Sequence, residues 1–376
     1  MNDVDIAICG AGPIGLAAAL LLVRHGTAPE RIAVLDAKSA EQAAADPRSI
    51  AISYGSRQIL EQLGAWPIGA DEIHEIHVSR RGHFGRTLIE RDELQVPALG
   101  YVTRYGALTA ALGTAAERAA ISVIRPKRVE RLDEVDDAVT LTLTDGTLRS
   151  GIAIQAEGGL FDLQEDKGLR RDYEQSAVVA QVLSTAPVKQ RAFERFTEEG
   201  PLALLPQDGG YALVWCVRPA RAEALLALSD LEFLKALGEA FGTRVGTFTR
   251  ATPRHAFSLG LNARAAASPR TVAIGNASQT LHPVAGQGLN LGLRDAVVLA
   301  HCLREGVLPE SLARFAQQRD SDRRLTIRLT DTMARIFASA PDGSLSQGLL
   351  GASLGVIDLL KPAKEMLAEQ MMFGWR

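Results

Sequence analysis

The sequence predicts an α/β fold: a Rossmann-like dinucleotide-binding domain assembled from separated segments, a second α+β domain dominated by β-sheet, and a C-terminal helical segment. Three observations predict it. Residues 5–26, DIAICGAGPIGLAAALLLVRHG, read as a short apolar strand, a turn carrying Gly10, Gly12 and Gly15, and an apolar helix ending near Gly26. From Tyr173 to about Phe257 the strand-like segments SAVVAQVL, GPLALLPQ and GYALVWCVR follow one another. TVAI then enters a loop with glycines at 275, 286 and 288 that leads into another helix.

The first unit is a GxGxxG turn in its proper strand–turn–helix context. Pro13 and Ile14 open the helix, where a proline has no donor to lose. RIAVLDA forms the second strand and ends at Asp36, about 20 residues past Gly15, where a carboxylate meets a ribose hydroxyl of an adenine dinucleotide. Residues 40–46 (AEQAAAD) are expected as a loop and SRQILEQLGAW as a helix. IHEIHVSRRGHFGRTLI alternates like a hairpin turning at Arg81-Gly82, residues 106–120 return to helical spacing, and AVTLTLTDGTLRSGIAIQA is a hairpin turning at Asp145-Gly146. One helix is expected near 220–240 within the sheet region.

The resulting domain plan is 1–65, 100–171 and 262–330 for the dinucleotide domain, 66–99 and 172–261 for the sheet domain, and 331–376 for the C-terminal helices. The apolar residues of that last segment, with Met366, Met371 and Met372, read either as core or as a surface resting on a membrane or a partner.

Composition narrows the function. A net charge of −3 gives no basic excess, so no nucleic-acid partner is expected, and Arg323 and Arg324 read as a solvated helix face. Cys9, Cys216 and Cys302 are too few for a disulfide framework and too widely spaced for a zinc site, which points to a reducing, cytoplasmic setting. Acids at 3 and 5 followed at once by a strand predict no secretory signal, and the run LAAALLLV at 16–23 is too short to span a bilayer. His74 and His77, three apart on an extended strand, fall on opposite faces, so no metal is expected there.

In the later loop, Gly286 and Gly288 clear side chains from the path of main-chain N–H groups, and the helix opening near Asn290 aims its positive end at them. A flat, electron-accepting ring fits that arrangement. His282 is the histidine beside it; it either exchanges a proton with substrate or only shapes the loop.

Taken together, GAGPIG, DPRSIAIS, RRGHFG, YEQSAVVA, ERFTEEGPLALLP and GNASQTLHPVAGQGLNLGLRD resemble the flavin-dependent aromatic hydroxylases of ubiquinone biosynthesis, over nearly the whole chain. The resemblance implies the p-hydroxybenzoate-hydroxylase-like flavoprotein fold, with FAD as cofactor and NAD(P)H as reductant. It implies that Gly10, Gly12 and Gly15 approach the FAD pyrophosphate, Asp36 the adenosine ribose and Arg48 the flavin side. Asn276 would face the ribitol chain, and Pro283, Gly286, Gln287, Gly288, Leu289 and Asn290 would border the isoalloxazine. Val129 and Arg104 would lie near the adenine and phosphates. The implied partners are O₂, a lipophilic phenolic substrate and other proteins of ubiquinone biosynthesis, with peripheral contact to the inner membrane.

One segment departs from the pattern. Where related hydroxylases carry an ADGxxSxxR-like motif, this chain reads IQAEGGLFDLQE: Glu157 stands for Asp, Phe161 for Ser and Gln164 for Arg, while Gly158 keeps the turn. FAD binding is compatible with that change, and reduction by NAD(P)H is less secure. Two alternatives therefore stay open: an accessory or scaffold member of a biosynthetic complex, and an FAD hydroxylase for another aromatic substrate.

Overall fold

Four fully buried residues in a row, Ile6, Ala7, Ile8 and Cys9, mark a strand covered on both faces, as a parallel sheet between layers requires. The computed structural model describes residues 2–81, 86–135, 137–157, 169–263, 268–280, 287–320, 322 and 324. The chain runs β1 (Val4–Cys9), α1 (Pro13–Arg24), β2 (Ile32–Leu35), α2 (Ala40–Ala44), β3 (Ser49–Ser53) and α3 (Tyr54–Gln62). There follow β4 (Ala70–Ile73), β5 (Glu75–Arg80), β6 (Arg86–Glu90), β7 (Gly100–Arg104), α4 (Tyr105–Arg118), β8 (Ser122–Ile124), β9 (Val129–Val135), β10 (Ala138–Leu143) and β11 (Gly146–Gln155). The sheet region contains β12 (Leu169–Ser184), β13 (Arg191–Phe196), β14 (Pro201–Gln207), β15 (Gly210–Val217), α5 (Pro219–Ala227), α6 (Asp230–Phe241), β16 (Phe248–Ala251) and β17 (His255–Ala263). The return segment is β18 (Thr271–Ala273), β19 (Gln279–Thr280) and α7 (Gln287–Leu303), with a further helix over 309–320.

These strands form three sheets. The first has the order β8-β2-β1-β11-β10-β9, with β18 added to β11; β8, β2, β1, β11 and β18 are parallel. It is closed on one face by α1, α4 and α7 and on the other by the β9–β10 meander, whose Val139 and Leu141 cover Ala7, Cys9 and Leu35. The second sheet runs β19-β17-β12-β15-β14-β13-β5-β6, with β16 on β12. One of its faces is packed by α5 and α6 through Phe233, Leu237 and Phe241. A three-stranded sheet, β3-β7-β4, lies between the two and seals part of the second sheet's other face, with Ile73, Leu99 and Val102 against Ala192 and Ala212.

The dinucleotide domain's return at TVAI and both predicted hairpins are present as expected. Several details differ. Residues 40–44 are a helix because Ser39 and Gln42 form a reciprocal capping box. A second capping box, Ser229 with Glu232, starts α6 and divides the single helix expected at 220–240 into two. The stretch 66–99 divides as well: β4 pairs with β7, and only β5 and β6 join the large sheet. β19, from the stretch assigned to the dinucleotide domain, pairs onto β17. The proposed C-terminal helices at 331–376 lie outside the described residues.

Two contacts bring α1 and α7 together. A methyl group on Gly15 would stand 1.8 Å from the Gly10 carbonyl oxygen, so helix and turn can close only without a side chain there. Ile14, one residue earlier, lies against Gly275 and Gly292: a Cβ on Gly292 would stand 2.9 Å from Ile14 Cγ1 and 3.1 Å from Gly275 Cα. Asp295, completely buried on α7, accepts the Gly275 N–H at 3.1 Å and the Arg319 Nε–H at 2.8 Å. Arg319 also pairs with Asp322.

Gly15→Ala is expected to cost more than about 3 kcal/mol, because the clash is with backbone that cannot rotate away; a urea midpoint within error of wild type would contradict this packing. Asp295→Asn removes the charge opposite the Arg319 guanidinium, leaving Asp322 as its carboxylate partner, and turns an amide NH₂ toward one of the two donors that Asp295 now accepts from. A loss of about 3–5 kcal/mol is expected in the same titration, and a smaller loss for Asp320→Asn, whose partner Arg324 is exposed.

Candidate functional site

The end of β1 feeds directly into a backbone cradle. Gly10 has φ +103°, and a Cβ there would meet Glu157 N at 2.8 Å and the Ala156 carbonyl at 2.9 Å. Its N–H donates to Leu35 O at 2.7 Å, so the turn is welded to β2 on one side and to the end of β11 on the other. Gly12 is the N-cap of α1 and supplies no side-chain cap, and Pro13 has no N–H. The N–H groups of Ile14 and Gly15 therefore open the helix without a side-chain acceptor, the arrangement that takes a phosphate.

Asp36 lies at the end of β2 as expected. Its carboxylate accepts the Ala11 N–H and the Lys38 N–H, both at 2.7 Å, and stays part-exposed, with lone pairs left for a ribose hydroxyl. Glu157 is held beside it, and burial together with the Asp36 charge pushes its carboxyl up. Arg125, which sequence reading missed, donates to the Ala11 carbonyl, while its buried Nε has no partner among the described residues. A cation with a spare buried donor next to an uncapped helix start suits an anionic ligand.

Arg48 lies across Tyr105, 4.6 Å from the ring centroid, and makes a two-pronged ion pair with Asp46. Burial alone would raise the Asp46 carboxyl, but the Arg48 hydrogen bonds hold it below its ordinary value. The Tyr105 hydroxyl would be 2.8 Å from a Cβ on Gly12, so Tyr105 carries the connection from Arg48 to the glycine turn. Tyr105 too went unseen in the sequence, where it reads only as a helix start.

The second glycine-bearing loop meets the first. Gly275 (φ +59°) and Asn276 form a short 3₁₀ turn after β18, and Asn276 is exposed, facing Gly288 across 3.6 Å from Oδ1 to a built Cβ. Gln287, Gly288, Leu289 and Asn290 are the first turn of α7. Leu289 is in the core, and Asn290 is buried with its side chain tying α7 to β3: Oδ1 accepts Ser53 N–H at 2.9 Å and Nδ2 donates to Ala51 O at 3.4 Å. Gly158, His282, Pro283 and Gly286 lie outside the described residues.

One expected residue is engaged elsewhere. The Arg104 guanidinium pairs with Asp208 at 2.7 Å and Gln181 at 3.2 Å, on the large sheet. Val129 begins β9 and packs against the Ala7 and Cys9 layer. His74 is bonded to Glu72 and Arg91, while His77 is buried against Phe193, where burial and Arg244 push it down to about 4.

The residues present fit FAD. The cradle at 10–15, Asp36 and Arg125 suit the adenosine diphosphate half, and the exposed Asn276 with the start of α7 suits the ring-bearing half. Residues 3–320 match the family model described as an FAD binding domain. The chain is 30% identical to the ubiquinone hydroxylase UbiL of Rhodospirillum rubrum, covering 98% of this chain and 89% of that one. It is 31% identical to the 3-demethoxyubiquinol 3-hydroxylase of Escherichia coli over 80% of each. Its fold is similar to that of the p-nitrophenol 4-monooxygenase PnpA of Pseudomonas putida, with a TM-score of 0.79, 16% identity and full coverage of both chains. With Ile14 of the first glycine turn against Gly275 and Gly292, and the family match running through both stretches, this chain belongs to the FAD-binding-domain family of flavoprotein monooxygenases.

Proposed function

We propose that the protein is an FAD-dependent monooxygenase that hydroxylates the ring of a polyprenylated phenol on the route to ubiquinone. Phenol, O₂, NAD(P)H and a proton give the ring-hydroxylated phenol, water and NAD(P)⁺. The observation that carries this reading is the meeting of Ile14 with Gly275 and Gly292, which sets the start of α1 against the turn after β18 and the early part of α7.

Bound FAD supplies the electron transfer and oxygen activation. The protein's own residues place and protect. The N–H groups of Ile14 and Gly15 and the Arg125 guanidinium would hold the pyrophosphate, Asp36 the ribose and Asn276 the ribitol chain. The positive end of α7 would stabilise negative charge at the near edge of the ring. Asn290 keeps α7 fixed on β3, and the Ile73, Leu99 and Val102 seal keeps water from the space between the sheets. Peripheral seating on a membrane would give the protein access to a lipophilic substrate; among the described residues no helix is long and apolar enough to cross one.

Purified protein is expected to be yellow, to hold one FAD per chain and to oxidise NAD(P)H faster when a phenol is added. Colourless protein that takes up no FAD would end the reading. Retained FAD without phenol-stimulated oxidation would favour an accessory role, for which the altered 156–164 segment is the motive. Cells lacking the protein are expected to accumulate one under-hydroxylated quinone precursor, and its structure would identify the ring position.

A further inference from the structure

The large sheet has two unlike faces. Toward α5 and α6, Val178, Phe193, Leu202, Leu204, Leu213 and Trp215 are all buried. On the opposite face, turned to β4 and β7, one cross-strand row behaves differently: Val179 pairs with Val214, Val214 with Ala203, Ala203 with Glu194 and Glu194 with Val78. All five are part-open. On one side the neighbouring row is closed at Ala177, Cys216, Pro201 and Phe196; on the other, Ala212 and Ala192 are closed against the three-stranded sheet while Gln181, Leu205 and Ile76 are part-open like the row itself. Strands are about 4.8 Å apart, so the row is the floor of a trough roughly 19 Å long, on the face directed at the cofactor-binding layers.

Four of its five residues are aliphatic and the fifth is Glu194. Among the described residues no donor reaches the Glu194 carboxyl, and burial alone pushes it up to about 7. The titratable group that shares its surroundings is Cys216, whose thiol is raised by its own burial and then by the Glu194 charge. Arg80 lies two residues further along β5 on the same face. Asp71, Arg104 and Asp208 belong to a separate knot, where Asp208 N–H donates to Asp71 and Arg104 pairs with Asp208.

We propose that Glu194 is the catalytic residue that takes the phenolic proton of the ring lying in this trough. The inference rests on the aromatic-hydroxylase reading. The phenol O–H bond breaks, the proton passes to a Glu194 carboxylate oxygen, and the charge left on the phenol oxygen spreads into the ring, raising electron density at the carbon to be hydroxylated. The aliphatic residues hold the ring and the start of its tail. A carboxylate beside bulk water would be too weak a base for a phenol whose ordinary pKa is near 10; burial makes the Glu194 carboxylate a stronger base.

The test uses the FAD-loaded enzyme, NAD(P)H and two phenols, one neutral and one polyfluorinated and already ionised at pH 8. Wild-type turnover of the neutral phenol should rise with pH through a limb near 7, as Glu194 loses its proton. Glu194→Gln should lose that limb and fall about 10²–10³-fold in kcat, with KM changed only a few-fold, while turnover of the ionised phenol stays within about five-fold of wild type. Equilibrium binding gives a readout apart from turnover: at pH 9 the ionised phenol should bind Glu194→Gln more tightly than wild type, because a like charge is gone. Glu194→Asp should restore part of the limb. An unchanged pH profile in a phenol-active Glu194→Gln, or equal losses for both phenols, overturns the assignment alone. A wild-type holoenzyme that hydroxylates no phenol overturns the assignment and the reading beneath it.

Discussion

One close approach, at the first glycine turn, decides much of the rest. A strand–turn–helix unit can take a dinucleotide only if the helix start comes down on the turn, and here Gly15 lies so near the Gly10 carbonyl that even a methyl is excluded. That closeness puts Ile14 against Gly275 and Gly292, which locks α1 to α7 and makes two remote stretches of chain into one groove. Dispersion between a single isoleucine and two glycine backbones is a small energy. Its effect is geometric, since removing side chains lets two helix starts share a wall.

The buried Asp295 completes this arrangement from the other side. Its carboxylate accepts from the turn that presents Asn276 and from Arg319 on the 309–320 helix, so the later helices are tied to the loop that borders the cofactor. Desolvating such charges is costly, and the cost is offset only because each oxygen has a good donor. Between the sheets the links are of a different kind. Ser49 donates to Gln207 at 2.6 Å, Arg104 reaches Asp208 and Gln181, and Asn290 reaches Ser53, all polar ties around an apolar seal. Apolar contacts exclude water from the space between the layers, and the polar ties fix the registration of one layer on the other.

Local physics was legible in the sequence. The β1–turn–α1 unit, Asp36 at the end of β2 and the hairpin at Asp145-Gly146 depend on near neighbours in sequence, and each is present; the return at TVAI was marked by its own apolar run and following glycine, although its partner β11 lies more than a hundred positions away. The two capping boxes were equally local and were passed over, since Ser39 and Ser229 lie in alanine- and leucine-rich text that reads as loop or as continuous helix. What spacing could not supply was partnership across the chain. The parallel pairing of β13 with β5 joins residues more than a hundred positions apart, and the Arg104–Asp208 and Tyr105–Gly12 contacts exist only once sheets are stacked. Arg104 accordingly read as a phosphate contact, and Asn290 as a ring contact although its amide serves β3.

Two acids illustrate how structure assigns roles that composition leaves equal. Asp295 is fully buried and answered by a backbone N–H and a guanidinium, whereas Glu194 is part-open and has neither among the described residues. An interior acid that serves packing or registry is satisfied in the folded chain, because leaving it bare costs stability with no return. A bare one in a part-open row of valines and an alanine carries that cost all the time. A molecule with a proton to share relieves that cost when it enters the trough. The unsatisfied state of Glu194 thus marks the direction from which a donor must come, and that donor is the substrate's hydroxyl.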